Sequence, residues 1–564
     1  MTEQRGDTAQ IRSSYRYQDP ADLTPSPRER RLARVSPQYW RSMLHGRVMP
    51  AACAVTAAVL GIVLRVAVIA SRLGPVDADE AVVGLMARDL LRGRVEAFYW
   101  GQEYGGIHEQ LLVALLLLVR IPGWLVMELA PVAWSAAAAI LTWRIGRRVM
   151  GDGGLDGGTR TGAGTGTNIG ALLAGAFMWL SSGAFVWLST KERGFYGATL
   201  VAGLLTLLLA LRLAEQQPAR RRDAVLLGVA LGTGWYASPQ IAYLALPAGL
   251  VVLTALLAPE RRTGVVRQLP AVTLGAIVGA LPWILVNLRT GFASFELAAT
   301  LPPTTYGDRL SIFFRHALPI ASGLKVPFTL DWLVPPARLA YAAFLAGTAA
   351  VAVIALVRRR RTWPLAVGVL AYPLLYAVFP TSYYYGDPRY LYLLWPMIAL
   401  LVVDAAHRLH AMAAILTVAV AAAVGVVGLQ RMASLPWTPD QATHDIAPLD
   451  VAPAVEALEG NGDRYAYADY WLSYRITFAS DGDVTAAPLQ LIRSARIERV
   501  VAGAARRAPV PYVLVAGSCY DRELRDALTE TGIGFDVQRA GRVAIVRPAQ
   551  AVTRPDVAAV WAAC

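Results

Sequence analysis

The sequence predicts an α-helical polytopic membrane protein with about 11 transmembrane helices, outer-surface helices in its first loop and a small C-terminal extracytoplasmic α/β domain. Three observations lead there. Of the 564 residues, 55% are hydrophobic and only 16% charged, against the roughly 45–50% apolar share of soluble domains. Long Ala/Val/Leu runs recur from residue 50 to 430 and then stop. Arginine clusters punctuate those runs, and all fall on one side of a membrane if the spans simply alternate. A soluble enzyme is excluded on these grounds.

Before the first span lie about 49 polar residues with nine Arg against five acids. They predict a basic cytoplasmic tail (1–49) and a retained first span, because a cleaved signal peptide has a short basic start and a short apolar core. A bilayer core needs about 20 apolar residues per helix. The candidate spans are 50–70, 123–145, 168–190, 195–213, 224–237, 240–258, 269–288, 337–357, 363–380, 389–406 and 410–428. Ser238-Pro239 cuts the fifth from the sixth. Arg144/Arg147/Arg148, Arg220–Arg222, Arg261/Arg262/Arg267, Arg358–Arg361 and Arg408 then all face the cytoplasm, as the positive-inside rule requires. Counting 107–121 as a further span would turn the later clusters outward, so it is expected as an interfacial or re-entrant helix on the outer face. Arg65, inside span one, is expected to snorkel outward or to meet an outer carboxylate.

The Gly/Thr-rich stretch 151–167 reads as a flexible cytoplasmic linker. After residue 430 the chain turns polar, with strand-like Tyr512–Val515 and Val543–Val546 flanking a helix-like Asp521–Thr529. That predicts an α/β domain over 431–564, which the odd number of spans places outside. There Cys519 and Cys564 either pair or remain free thiols. This segment holds 14 Arg against 16 acids, so residues 1–430 carry about +15 and account for the whole positive net charge of +13. It sets topology and is no nucleic-acid footprint.

The first outer loop is the richest in chemistry. Asp77, Asp79 and Glu80 follow span one, and Val83, Met86, Ala87 and Leu90 recur at helical spacing behind them. That predicts a surface helix with acids at its N-terminus, where the helix dipole favours them, and with Asp77 or Asp79 as a candidate cap. Gln102-Glu103-Tyr104-Gly105-Gly106, His108 and Glu109 add a second acidic patch. Two such patches with intervening glycines suit a site for a polyhydroxylated ligand. Lys191-Glu192-Arg193-Gly194-Phe195-Tyr196 forms a tight charged turn between two spans, and Tyr383-Tyr384-Tyr385-Gly386-Asp387-Pro388-Arg389-Tyr390 opens a Pro-containing span. Lysine occurs only at 191 and 325, both on the expected outer side.

Asp79-Glu80, the surface helix and the Gly-Gln-x-Tyr-x-Gly stretch together resemble the first outer loop of the polyprenyl-phosphate-dependent GT-C glycosyltransferases. In pattern the protein O-mannosyltransferases and the lipid A aminoarabinose transferases are nearest. The resemblance covers about residues 50–430. It implies sugar transfer from a polyprenyl-phosphate donor to an acceptor hydroxyl (of protein, lipid or polysaccharide) at the outer face of the cytoplasmic membrane. It implies Asp79 as catalytic base with Glu80 beside it, and inversion at the anomeric carbon. Asp77, Gln102, Glu103, Tyr104 and Glu109 would orient sugar or acceptor. Lys191, Arg193, Arg389 and Tyr390 would bind the lipid phosphate. Relatives often carry a Lys in the turn after the fifth span, but here that turn is Tyr236-Ala237-Ser238-Pro239-Gln240, so Arg289 or Lys325 is expected in its stead. Glu109 and His316 are the candidates for holding a divalent metal ion. Two other functions fit the same composition: a transporter or flippase of lipid-linked sugar, and a non-catalytic assembly subunit binding envelope glycans. Transporters show paired repeats and broken midplane helices, whereas this chain gathers its carboxylates in a loop. Ala468-Asp469-Tyr470-Trp471 and Tyr474-Arg475 in the C-terminal domain are expected to stack on sugars or, more simply, to pack against the membrane part.

Overall fold

The computed structural model describes residues 37–150, 165–216, 218–296, 304–379, 386–444, 447–558, 560 and 564. Most of the basic tail, most of the 151–167 linker and Tyr383–Tyr385 lie outside the described residues. Met1–Cys53 is one unit, and Ala54–Cys564 forms a second, compact one.

All eleven expected spans are helical, but they are not equal. Among the described residues six helices are long and apolar enough to cross a membrane: Ala51–Ile69, Gly123–Val149, Tyr196–Glu215, Pro239–Leu257, Ala337–Val357 and Ala411–Ala433. A seventh candidate is the pair Leu269–Gly279 and Leu281–Thr290, bent by 62°. Pro282 explains the bend, since its ring nitrogen cannot close the helical ladder across Ala280. The expected span 168–190 is broken at Ser181-Ser182 into Thr165–Leu180 and Gly183–Leu188. The expected span 389–406 begins as a 3₁₀ turn, Pro388–Leu391, before Trp395–Leu409. Arg221–Ala237 ends at Ser238-Pro239, as the sequence predicts. Segment 107–121 is a short helix, His108–Leu118.

Large apolar side chains stay exposed along these helices, among them Val63, Val66, Leu274, Leu339 and Leu416. An apolar shell of that extent has no place in water and suits lipid. Small residues bring backbones together inside the bundle. A Cβ at Gly232 would stand 2.1 Å from the Ala276 carbonyl oxygen, and one at Gly275 would stand 2.3 Å from that of Val225. Arg221–Ala237 and Leu269–Gly279 thus meet through matched Gly-x-x-x-Gly faces. Arg65 departs from both expectations. Its guanidinium stays buried, donating to the carbonyls of Gly61 (3.0 Å) and Trp179 (3.1 Å) and to Ser135 Oγ (3.1 Å). It lies 3.4 Å over the Trp179 ring, so nearby backbone and indole, not a carboxylate, satisfy it.

The C-terminal region carries one five-stranded sheet. We number its strands β1 (Tyr465–Ala468), β2 (Thr485–Pro488), β3 (Tyr512–Val515), β4 (Phe535–Ala540) and β5 (Val543–Pro548). Their order is β2-β1-β3-β5-β4, with β1 parallel to β2 and β3, and β5 antiparallel to β3 and β4. Parallel neighbours need crossovers, supplied by helices Tyr470–Ala479 and Ala495–Ala505. Central β3 is buried on both faces, which accounts for its unbroken apolar run. Helix Cys519–Glu530 follows it, and Cys519 is bonded to Cys564.

Helix Tyr470–Ala479 lies against the first-loop helix Ala78–Leu91. Phe478 fills the space above Gly84, where a Cβ would come within 2.4 Å of its ring. Arg88 donates to the Phe478 carbonyl (2.9 Å) and pairs with Asp481, while Arg496 pairs with Asp89 at 2.6 Å. This docking decides which side chains share the site.

Candidate active site

The first-loop helix starts with Asp77-x-x-Glu80, a capping box. Asp77 Oδ1 accepts from the Glu80 N–H (3.1 Å), and Glu80 Oε2 accepts from the Asp77 N–H (2.9 Å). Asp77 is therefore the cap, and Asp79 is left to project elsewhere. The charged turn after Leu188 locks the other two acids. Lys191 Nζ donates to Glu80 Oε2 (3.1 Å) and to the carbonyls of Gly74 (2.8 Å) and Pro75 (3.0 Å). Arg193 Nη1 donates to Asp77 Oδ2 at 2.6 Å. All four side chains are buried.

Asp387 links this turn to the span that follows. Its Oδ1 caps the turn by accepting from the Arg389 N–H (2.8 Å). Its Oδ2 takes Arg389 Nη2 (2.8 Å) and lies 3.5 Å from Arg193 Nε. So held, Arg389 Nη1 reaches Asp79 Oδ2 at 3.3 Å. The opposite oxygen, Oδ1, accepts from the Tyr470 hydroxyl at 2.5 Å, and the Tyr99 hydroxyl donates to the Asp79 carbonyl at 3.2 Å. Arg493 lies 5.8 Å over the rings of both Tyr99 and Tyr470. Gly194 and Gly105, both at positive φ, allow this closeness. A Cβ on either would stand 2.6 Å from a ring atom, of Tyr99 or Phe195 respectively.

Asp79 keeps 13% of its side chain exposed, whereas Asp77 and Glu80 are sealed. Burial works to raise its pKa. Arg389, Arg193 and Arg493, with the Tyr470 hydrogen bond, outweigh that and hold it below the usual carboxylate value. Glu80 goes the other way: burial pushes it up to about 7 despite Lys191. Glu192 is driven well above the carboxylate range by burial and by neighbouring Glu109. The result is one ionised, partly accessible carboxylate facing arginines and tyrosines, which is suited to accepting a proton beside a developing anion.

The remaining expected residues divide. Tyr104 and Tyr390 belong to the same cluster. Burial pushes the Tyr104 hydroxyl up to about 12, with Tyr390 and Arg493 acting on it, and the Tyr390 ring lies 6.0 Å from Tyr196. Glu109 is buried and accepts from the Ala198 N–H at 3.0 Å. Glu103 is exposed and Gln102 half-buried, and neither reaches Asp79 through a hydrogen bond or ion pair. Arg289 is exposed at the end of Leu281–Thr290. Lys325 donates to the Arg315 carbonyl (2.7 Å) and sits 4.9 Å over Trp332, away from the carboxylates. His316 is half-buried, its pKa lowered by burial and by Lys325 and Arg315. Among the described residues no three His, Cys, Asp or Glu side chains are grouped to hold a metal ion, so Glu109 and His316 form no such site.

Arg493 and Tyr99 were not among the expected site residues. Asp387 was legible only as part of its motif, where Asp before Pro announces a turn. No local signal marks Arg493, since only docking brings it to Asp79.

No protein-family model matches the sequence, and no curated protein matches it either. Solved structures do. ArnT from Cupriavidus metallidurans in the apo state is 14% identical over 90% of this chain and 98% of that one, with a TM-score of 0.54. The fold is that of ArnT. The same protein bound to undecaprenyl phosphate gives 14% identity over 87% and 97% of the two chains and a TM-score of 0.53. AglB, the archaeal oligosaccharyltransferase from Archaeoglobus fulgidus, is 13% identical over 89% of this chain and 74% of that one, at a TM-score of 0.48. The ArnT matches cover 87–90% of this chain, in keeping with the GT-C-like fold expected from the first loop. At 14% identity, resemblance to ArnT speaks for the fold and leaves the chemistry to the site itself.

Proposed function

We propose that this chain is a membrane glycosyltransferase that moves a sugar from a polyprenyl-phosphate donor to an acceptor hydroxyl at the outer face of the cytoplasmic membrane. In this reading residues 1–49 are a cytoplasmic tail, 50–430 the transmembrane catalytic part, and 431–564 an extracytoplasmic domain. The observation that carries it is Asp79: of the three loop acids it alone keeps an accessible carboxylate, within reach of Arg389. The ArnT fold, seen with undecaprenyl phosphate in that relative, supports the donor class.

The chemistry balances on these residues. The acceptor oxygen attacks the anomeric carbon while its proton passes to Asp79. The bond from that carbon to the phosphate oxygen breaks, and its electron pair leaves with the polyprenyl phosphate. Direct displacement inverts the anomeric centre. Arg389 stands where the departing anion's charge develops. Asp77, Glu80, Lys191, Arg193 and Asp387 act behind it as a buried frame that fixes Asp79 and Arg389. Tyr104 would orient sugar or acceptor and Tyr390 would bind the lipid phosphate, both from the same cluster. No step is routed through a metal ion.

The test uses full-length protein in detergent, a panel of radiolabelled undecaprenyl-phosphate pentoses and hexoses, and native membranes as acceptor source. Asp79→Asn is expected to lower transfer by at least about 10²-fold, while the protein elutes as the wild type does on gel filtration. Near-normal turnover by that variant overturns the assignment of the base. Vectorial movement of donor without covalent transfer, by the wild type reconstituted into sealed vesicles, would make the chain a transporter instead.

A further inference from the structure

The C-terminal region contributes two side chains to the Asp79 cluster, and their condition differs from that of the membrane-side cations. Lys191 and Arg193 are buried against Glu80 and Asp77. Arg389 is shared between Asp387 and Asp79. Arg493 is half-buried, its Nε has no hydrogen-bond partner, and its guanidinium lies between two tyrosine rings, hydrogen-bonded to Tyr470 and acting on Asp79 without closing an ion pair with it. A departing phosphate needs positive charge that it can reach. Arg193 also has an Nε and Nη2 without hydrogen-bond partners but is sealed against Asp77, whereas Arg493 is only half-buried and closes no ion pair among the described residues.

The backbone of Arg493 is also fixed. Its N–H and that of Ser494 donate to the Tyr474 hydroxyl at 2.7 and 3.1 Å. On the other side its Cα packs onto Gly101 so closely that a Cβ there would stand 3.0 Å away. The segment is therefore clamped between its own domain and the first loop, with its charged end at the site. Tyr470, on the same docked domain, donates to Asp79 Oδ1. That oxygen retains a second lone pair for an incoming acceptor hydroxyl.

We infer that the C-terminal domain completes the catalytic site, with Arg493 as a catalytic residue that binds the leaving polyprenyl phosphate and Tyr470 as a positioning residue for Asp79. This rests on the sugar-transfer function proposed above. The domain is then no separable glycan-binding accessory, because the membrane part alone holds a base without its second cation.

The experiment measures transfer by full-length Arg493→Ala, Arg493→Lys and Tyr470→Phe, with undecaprenyl phosphate as product inhibitor. Arg493→Ala is expected to lose about 10²–10³-fold in kcat and to weaken inhibition by undecaprenyl phosphate at least tenfold, with acceptor KM nearly unchanged. Arg493→Lys should restore part of both. Tyr470→Phe removes a hydrogen bond that lowers the Asp79 pKa, so the acidic limb of its pH–rate profile should move to higher pH. Wild-type kcat and inhibition in both Arg493 variants overturns the phosphate role. An unmoved acidic limb in Tyr470→Phe overturns the positioning role. If Arg493→Ala does not fold, the Lys variant decides by the same two readouts. The Asp79→Asn control separates the failures: an inactive Asp79→Asn beside fully active Arg493 variants refutes only this inference, whereas an active Asp79→Asn refutes the base assignment on which it stands.

Discussion

Asp77, Asp79 and Glu80 lie within one helical turn, yet they do three different things. Asp77 caps, Glu80 closes the capping box, and Asp79 is left pointing into the cluster. The D-x-x-E spacing of that box is visible in the sequence. What the sequence leaves open is whether Asp77 or Asp79 caps, and so which acid is free for chemistry. The cations divide in the same way. Lys191 stands out in composition as one of two lysines, but it is buried with Glu80 and belongs to the frame. Removing one partner of a buried pair leaves an uncompensated charge, at about 3–5 kcal/mol. Lys191→Met should therefore cost about that much stability, read as a lowered thermal midpoint of the solubilised protein, and Glu80→Gln in the same chain should recover a good part of it. A Lys191→Met midpoint equal to the wild type's would show that Glu80 does not depend on this ammonium.

Helices and strands were largely readable from periodicity, and their breaks were readable where proline marks them. Ser238-Pro239 divides its helices as expected, and Pro282 bends the pair that the sequence shows as one apolar run. The break at Ser181-Ser182 carries no such mark, and the segment 168–190 reads as continuous. In the C-terminal region Tyr512–Val515 was plain, while β1 and β2, only four residues each, are too short to show a period of two. One element there has a titration built into it. Asp469 caps helix Tyr470–Ala479, accepting from the Leu472 N–H at 3.1 Å, and its burial lifts its pKa to about 7. The folded chain thus keeps a proton that the unfolded chain releases near pH 4. The stability this gives is full at low pH and is lost as pH rises from about 4 through 7, on the order of 4 kcal/mol in all. Asp469→Asn keeps the cap acceptor and cannot ionise. Its thermal midpoint should change far less than the wild type's between pH 5 and pH 8, and should exceed it at pH 8. Equal slopes for the two proteins would mean that Asp469 is ionised throughout.

The whole molecule does what no single segment announces: it folds the far end of the chain onto the first loop. Tyr470 meets Asp79 across 391 residues, and Arg389 does so across 310. The Arg389 contact was within reach of sequence reasoning, because a cation on the side the positive-inside rule disfavours needs a reason to be there. The domain contact was not, because its determinants are a glycine and a phenylalanine of ordinary kinds. Gly84 leaves the gap that Phe478 fills, and Arg88 then covers that ring at 4.2 Å. Any side chain at residue 84 meets Phe478, so Gly84→Val must lift helix Tyr470–Ala479 or force the ring aside, at roughly 1–3 kcal/mol. Neither residue touches Asp79, so this change tests the docking apart from the chemistry. Gly84→Val is expected to lower transfer about tenfold or more and to speed tryptic cleavage between the bundle and the sheet. Adding Phe478→Ala makes room for the new side chain and should return part of both. If Gly84→Val transfers sugar at the wild-type rate while its C-terminal domain is cleaved faster, the domain's position does not matter to catalysis, and Arg493 and Tyr470 are bystanders held near the base by packing alone.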